Sequence, residues 1–426
     1  MKTRAFSLLV ALLFLMPVLA VSPSVAAAND ADISQAVTWL KSHQQPDGGF
    51  LGFGGKEDPG TTADVALSLA AAGIDPNTVA NEATSAPSHP SMIAYLQTQS
   101  ASYGTTVGGA AKLILAAVAS GEDPRDFGGQ NLVQVILSHQ DASSGLFDPQ
   151  IYVHAYAMIA LSAANQAIPD AAIKALEGHQ AQNGGWAFDG SNDETQVDSN
   201  TTAVAVEALV ASGQQTSGAV TNAMTYLSRL RDDSGLYAYQ QTPGQPLVGD
   251  ANSTALVIQA LLASGQSLDS SAVTAALNGL QTLRNANSGA FIYRSDTPGD
   301  NLLATLQALP ALAGKPLPIW PIHAPGRTLD QAKTDAQPGD SQRCVYFMQT
   351  KHNACLGFLA YWQQYGGLDA FGYPLTEEFT FVDPATGRPT TMQYFERARF
   401  EWHPGSAPQR FDVQLGRLGS EALSTP

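Results

Sequence analysis

The stretch HQAQNGGWAFDG, residues 179–190, decides how this chain folds. It ends an amphipathic segment, AAIKALEGHQ, with a Gly-Gly-Trp signal. A polar loop then leads to the apolar, alanine-rich run TAVAVEALVASG. The arrangement recurs. Gly48-Gly49-Phe50, Gly145-Leu146-Phe147, Gly235-Leu236-Tyr237 and Gly289-Ala290-Phe291 each follow an amphipathic segment: ISQAVTWLKSHQ, NLVQVILSHQ, AVTNAMTYLSRL and AVTAALNGLQTL. Each precedes an apolar one: TADVALSLAAAG, YVHAYAMIALSAA, TALVIQALLASG and NLLATLQALPALAG. A sixth unit, SMIAYLQTQS then GGAAKLILAAVASG, keeps both segments but carries Tyr103-Gly104 in place of the aromatic signal.

A helix apolar along one stripe covers a core, whereas one apolar almost all round is buried. Glycine closes the second segment at Gly73, Gly121, Gly213, Gly265 and Gly314, where a left-handed residue ends a helix. Helix pairs repeating along a chain stack as hairpins. The expectation is an all-α ring over residues 29–315, six hairpins with apolar helices inside and amphipathic ones outside. Closure into a ring removes the end faces that an open stack must cap.

This repeat resembles that of the prenyltransferases and squalene cyclases, whose members form an α6/α6 toroid. Gln180, Gly184 and Trp186 match the family's Gln-x-x-x-Gly-x-Trp signature; the other copies have Phe or Tyr for Trp. The resemblance implies a fold more than a function, since one fold serves many chemistries. Class II terpene cyclases place Asp-x-Asp-Asp-Thr-Ala before an inner helix, and its middle acid protonates the substrate. Laid on that motif, Asp198-Ser199-Asn200-Thr201-Thr202-Ala203 keeps the first Asp and the Thr-Ala ending but has Asn200 at the acid. Asp250-Ala251-Asn252-Ser253-Thr254-Ala255 has Asn252 there. An amide has no titratable proton to give. The zinc-dependent prenyltransferases have Asp-x-Cys at this place, and the ring contains no cysteine, which removes the thiolate ligand. Asp198, Asn200, Asp250 and Asn252 are therefore read as helix caps, because such side chains satisfy orphan amides of a first turn.

Other residues are weighed for binding. Glu207 and Gln259 occupy equivalent places in two inner segments and either face the cavity or bridge neighbouring helices. Tyr152 and Tyr156 share one helical face, with His154 beside them, so they either line the ring or fill its core. Lys112 is a charge on an apolar helix and requires a partner or a wet cavity. Trp186 and Phe188 complete the candidate set. Asp189, Asp193 and Asp198 lie in the densest acidic loop and partly mimic a calcium loop, but Glu194 stands at the glycine position and Asn200 at that of the bidentate Glu. His43, His139 and His179 each end an outer segment as His-Gln, which reads as a helix-end interaction. No metal site and no cofactor is expected.

Residues 1–28 join a basic start, an apolar stretch and Ala26-Ala27-Ala28, the pattern of a cleaved secretory signal. No later run is apolar for long enough to span a bilayer. Net charge is −16, which argues against nucleic acid or an anionic membrane as partner. Cys344 and Cys355 are too few for a disulfide scaffold and are expected to form one local disulfide. Prolines at 316, 318, 321, 325 and 338 mark residues 316–343 as an extended linker. Residues 344–426 read as a small aromatic α+β module. FGYPLTEEF and QYFERARFEWHP in it resemble LGFP-type repeats of bacterial cell-surface proteins.

The expected function is an exported, non-catalytic ring that binds a hydrophobic or amphipathic small molecule in its central cavity, held at the cell surface by the C-terminal module. An active cyclase or prenyl-transfer enzyme with other acids is one alternative. A structural surface protein with a side-chain-filled ring is another.

Overall fold

The computed structural model describes residues 25–81, 90–164, 166–319, 327–339, 344–382, 389–402 and 413–418. Of the expected signal, residues 1–24 lie outside them. Helices come in pairs: α1 (Val25–Lys41) with α2 (Pro59–Ala71), α3 (Met92–Tyr103) with α4 (Val107–Ala119), and α5 (Leu132–Ser138) with α6 (Ile151–Ala163). Next come α7 (Asp170–Gly178) with α8 (Ser199–Ala211), α9 (Gly218–Ser228) with α10 (Ala251–Ala263), and α11 (Ser271–Gln281) with α12 (Leu302–Leu312). The even-numbered helices are buried nearly all round: every residue of α10 from Ala251 to Leu261 is buried. Their odd-numbered partners bury only a stripe, such as Val220, Ala223, Tyr226 and Leu227 of α9.

Each inner helix packs on the next, and α12 returns to pack on α2. The ring is closed. Ser68 Oγ donates to the Leu306 carbonyl at 2.5 Å. Arg284, just after α11, pairs with Asp32 of α1 at 3.1 Å and donates to Gln35.

The glycine-aromatic signal has a physical function at each of the five junctions that carry it. Gly48, Gly145, Gly184, Gly235 and Gly289 all have positive φ, which favours glycine. A Cβ on Gly184 would lie 2.5 Å from the Asn222 carbonyl of α9, one on Gly235 2.4 Å from the Ala275 carbonyl of α11, and one on Gly289 2.5 Å from Gln35 of α1. Each loop thus presses bare backbone on the next outer helix, and the last presses on the first. The aromatic side chain fills the space inside the hairpin, as with fully buried Phe50, Trp186 and Phe291. Its backbone N–H donates to one side chain in the first turn of the inner helix: Phe50 to Thr62 at 2.9 Å, Phe147 to His154 Nδ1 at 3.1 Å, Trp186 to Thr202 at 3.0 Å, Tyr237 to Thr254 at 2.9 Å and Phe291 to Thr305 at 2.9 Å.

Two loops at this end carry short hairpins, β1 (Trp186–Ala187) with β2 (Val197–Asp198) and β3 (Ile292–Arg294) with β4 (Thr297–Asp300). Over its described residues, the segment expected to be an extended linker touches both units. Leu317 and Ile319 are buried against the ring core. α13 (Leu329–Ala332) joins the C-terminal module, where Ala332 is buried with Phe379 and Met392. Proline density signals extension, but the apolar residues among the prolines find cores to enter.

In the module, β5 (Cys344–Phe347) and β6 (His352–Cys355) pair antiparallel, with Cys344 opposite Cys355 and a disulfide joining them. α14 (Leu356–Gln364) and α15 (Gly367–Phe371) follow. β7 (Phe379–Val382), β8 (Pro389–Tyr394), β9 (Arg399–Trp402) and β10 (Val413–Leu415) form an antiparallel sheet in the order β10-β9-β8-β7. Phe347, Phe358, Phe371, Phe395 and Phe400 share its core.

Candidate functional site

All six inner helices run the same way, so their first turns meet at one end of the ring. At 3.6 residues per turn, the second, sixth and ninth residues of each helix fall on one side, opposite the fourth residue that holds the aromatic loop. That side faces the axis. Its sixth residues include Asp64 and Lys112, whose carboxylate and ammonium meet at 2.5 Å between α2 and α4. Tyr152 and Tyr156 are the second and sixth residues of α6, and their rings stack with centroids 5.8 Å apart. Asp64 on α2 and Glu207 on α8 lie close enough to act electrostatically on both tyrosines, and Lys112 on α4 acts on Tyr152.

Accessibility varies along the stripe. Lys112 and Asp64 keep 28% and 19% of their side-chain surface, although the helices around them are buried. Tyr152 and Asn200, nearest the open end, are half-buried. Glu207 and Gln259, deepest of the polar residues, are 1% and 3% exposed. The ion pair therefore keeps contact with water. Below, Leu317 packs against the ring and turns its backbone N–H toward Glu207.

Charge here is held against burial. Burial raises the Asp64 carboxyl despite the pull of Lys112. Burial works to lower the Lys112 ammonium, but Asp64 outweighs it and the net shift is upward. Burial lifts the Glu207 carboxyl well above the ordinary range. The Leu317 backbone N–H offsets a smaller part of that shift, whereas Asn252 Oδ1 and Gln307 Oε1 on the same inward stripe have no hydrogen-bond partner. Unpartnered buried polar atoms are uncommon and require an explanation.

The rim is apolar. Leu51, Phe53, Phe188, Tyr239, Val248 and Leu303 are exposed, and all lie in loops entering inner helices or in a first turn. Phe188 tilts against Tyr152 with ring centroids 6.4 Å apart. Tyr239 reaches Asp198, with its hydroxyl pushed up to about 12, first by burial and then by that carboxylate.

Several candidates lie elsewhere. Trp186 is fully buried inside its hairpin, and its indole N–H donates to the Leu176 carbonyl at 2.7 Å. His154 faces away from the axis, between the Phe147 amide and the Ala172 carbonyl; burial lowers it to about 4. The cap reading holds for one residue of each pair. Asp198 and Asp250 are the N-caps, accepting from Thr201 N at 2.7 Å and Ser253 N at 2.8 Å. Asn200 and Asn252 sit two residues further on, inside the first turn and on the inward stripe. The acidic loop is held by local contacts. Asp189 and Asp193 each close a local turn, Asp198 is buried under its helix, and no metal-holding group of His, Cys, Asp or Glu occurs among the described residues. His43, His139 and His179 do share one interaction, each Nδ1 lying 2.8 Å from the carbonyl four residues back.

Sequence reading missed Asp64, Tyr103 and Gln307. Asp64 and Gln307 stand at the position of Lys112 in their own helices, so aligning the repeats residue by residue finds them. Tyr103 is found only in three dimensions: its hydroxyl would lie 2.6 Å from a Cβ on Gly60.

No protein-family model and no curated protein sequence matches the chain. Solved structures do. A variant of the type II terpene cyclase MstE from Scytonema, in complex with geranylgeranyl dihydroxybenzoate, aligns with TM-score 0.50 and 14% identity, over 68% of this chain and 97% of that one. An unsaturated glucuronyl hydrolase specific for heparin aligns equally well, with TM-score 0.50 and 13% identity, over 69% of this chain and 97% of that one. The fold is a terpene cyclase-like α/α toroid, shared with toroid enzymes of other activity.

Proposed function

We propose that this protein is an exported, non-cyclising receptor that holds an amphipathic small molecule in the centre of its ring, with the C-terminal module attaching it to a cell-surface component. The observation that carries this reading is the water-accessible ion pair of Lys112 and Asp64 on the inward stripe of an otherwise buried ring of helices, together with exposed apolar side chains on the loops that enter those helices. Pockets built this way combine apolar walls with a few polar groups that fix orientation. Against cyclase chemistry stand Asn200 and Asn252, which occupy the acid position of the resembled motif and have no proton to donate. The likeness to a terpene cyclase and to a heparin-specific hydrolase, at equal score, does not choose between ligand classes.

Native mass spectrometry of protein purified from its own host tests the binding. A co-purifying small molecule, released on denaturation, is the expected result. A ligand-free protein that also takes up no apolar probe would sink the proposal.

One observation favours a second reading. Glu207 is a buried carboxyl with a raised pKa on the inward stripe, which is what a general acid requires. Incubation with polyprenyl substrates, with product analysis, separates the readings. A cyclised product abolished by Glu207→Gln establishes an enzyme.

A further inference from the structure

Two residues without side chains stand over the ion pair of Lys112 and Asp64. Gly60 precedes Asp64 by four residues on α2, and Gly108 precedes Lys112 by four on α4. Residues four apart lie one above the other on a helix, and side chains lean toward its N-terminus. Asp64 and Lys112 therefore reach up past bare backbone, and keep 19% and 28% of their side-chain surface. In the other four inner helices Tyr152, Asn200, Asn252 and Leu303 fill the same position.

Tyrosines wall this opening. The Tyr103 hydroxyl stands beside Gly60, and both Lys112 and Asp64 act on it. Tyr152 and Tyr156 stack on the α6 side, and Phe188 continues their line to the rim. Tyr156 is 9% exposed, yet its hydroxyl makes no hydrogen bond with any described residue, and neither do those of Tyr103 and Tyr152. A buried tyrosyl hydroxyl ordinarily finds a partner. Lys112 gives one donor to Asp64 Oδ2, which leaves further ammonium donors and the second carboxylate oxygen for another molecule.

The charges are already matched. Lys112 and Asp64 cancel each other, and Asp58, the other carboxylate acting on Tyr103, is held by Thr61 N and Thr61 Oγ1 at 2.7 and 2.6 Å. A charged head group would meet one member of the pair as a like charge, and would lose its hydration for little return. A hydroxyl both donates and accepts, so adjacent hydroxyls suit an ammonium beside a carboxylate.

We infer that this opening is a subsite for an uncharged, polyhydroxylated head group, and that the ligand is an amphipathic glycoside. Its hydroxyls donate to the Asp64 carboxylate and accept from the Lys112 ammonium and the tyrosyl hydroxyls. Its apolar part runs past Phe188 and Leu303, both exposed at the rim. This inference rests on the reading of the ring as a ligand-binding cavity.

Calorimetric titration of the full protein with n-octyl β-D-glucoside, n-octanoate, n-octyltrimethylammonium and methyl β-D-glucoside, each below any micellar concentration, tests it. Octyl glucoside should bind at least about tenfold more tightly than any of the other three. Gly108→Leu places a side chain over Lys112. A Cβ there meets only Val153, at 3.5 Å or more, and leucine is the better helix former. The variant should keep its melting temperature and lose octyl glucoside affinity at least about tenfold; a folded variant that binds as before refutes the subsite. If octanoate or octyltrimethylammonium binds as tightly as octyl glucoside, the subsite is refuted while the binding cavity stands. Equal binding of methyl and octyl glucosides overturns the amphipathic assignment. If none of the octyl chains binds, the subsite and the proposed function fall together. The four ligands on the unsubstituted protein decide the matter even should the variant fold poorly.

Discussion

Asp198 and Asn200 lie two residues apart and have different roles. Asp198 is 1% exposed and accepts from Thr201 N and Thr201 Oγ1 at 2.7 and 2.8 Å. Asn200 is half-buried at the mouth and holds no amide of the first turn. Asp198→Ala should therefore cost about 1–2 kcal/mol by thermal unfolding, and Asn200→Ala should leave the melting temperature nearly unchanged. Equal losses would restore Asn200 as a cap. Glu207 carries a different signature. Its folded pKa lies above the ordinary value of 4.5, so the fold holds this proton more tightly than the unfolded chain does. Stability is then lost as pH rises from the unfolded value toward the folded one. Glu207→Gln should match the natural protein below about pH 4.5 and melt higher at neutral pH. A variant less stable at every pH would show that the carboxyl makes a needed contact.

At the scale of the hairpin, one aromatic residue joins three elements. Trp186 fills its own hairpin, its backbone N–H is satisfied by Thr202 at 3.0 Å, and Gly184 beside it touches α9. Gln180 completes the joint, donating to the Gly184 carbonyl and to the Ala219 carbonyl of α9, both at 2.8 Å. Thr202→Val keeps shape and strands a buried N–H, which should cost about 1–3 kcal/mol. Gly184→Ala meets both a positive φ and a carbonyl 2.5 Å from the new carbon, and should cost at least as much. Chemical denaturation of both variants checks this; two neutral substitutions would mean that the joint contributes little. In the other unit, Cys344 and Cys355 face each other across a hairpin and are bonded. Thiol labelling of unreduced protein should find no free cysteine. Replacing both with Ser should destabilise the module by about 3 kcal/mol on the loop-entropy account.

For the whole molecule, closure depends on the meeting of its first and last hairpins. Arg284 holds Asp32 and Gln35 of α1, with the ion pair largely out of solvent. Arg284→Ala should lower amide-exchange protection in α1 more than in α7 or α9, because only α1 loses a tether. Uniform loss, or none, would show that packing alone closes the ring.

The sequence by itself determined the ring. Glycine and aromatic spacing is a local requirement repeated at each junction, and apolarity on every side of a segment already states that the helix is enclosed. The helix-end histidines and the single disulfide were legible for the same reason, since each depends on neighbours close in the chain. Only the tertiary structure decided the site. Which side of an inner helix faces the axis depends on where its neighbours stand, so Trp186 and His154 went to the core while Asp64 and Gln307 joined Glu207 and Gln259 on the inward stripe. Asp64 and Lys112 are 48 residues apart, and no local pattern pairs them. Glu207 acquires its character from residues on other segments that remove water and leave burial outweighing the Leu317 N–H. That is a property of the enclosure, and the chain possesses it only once the ring has closed.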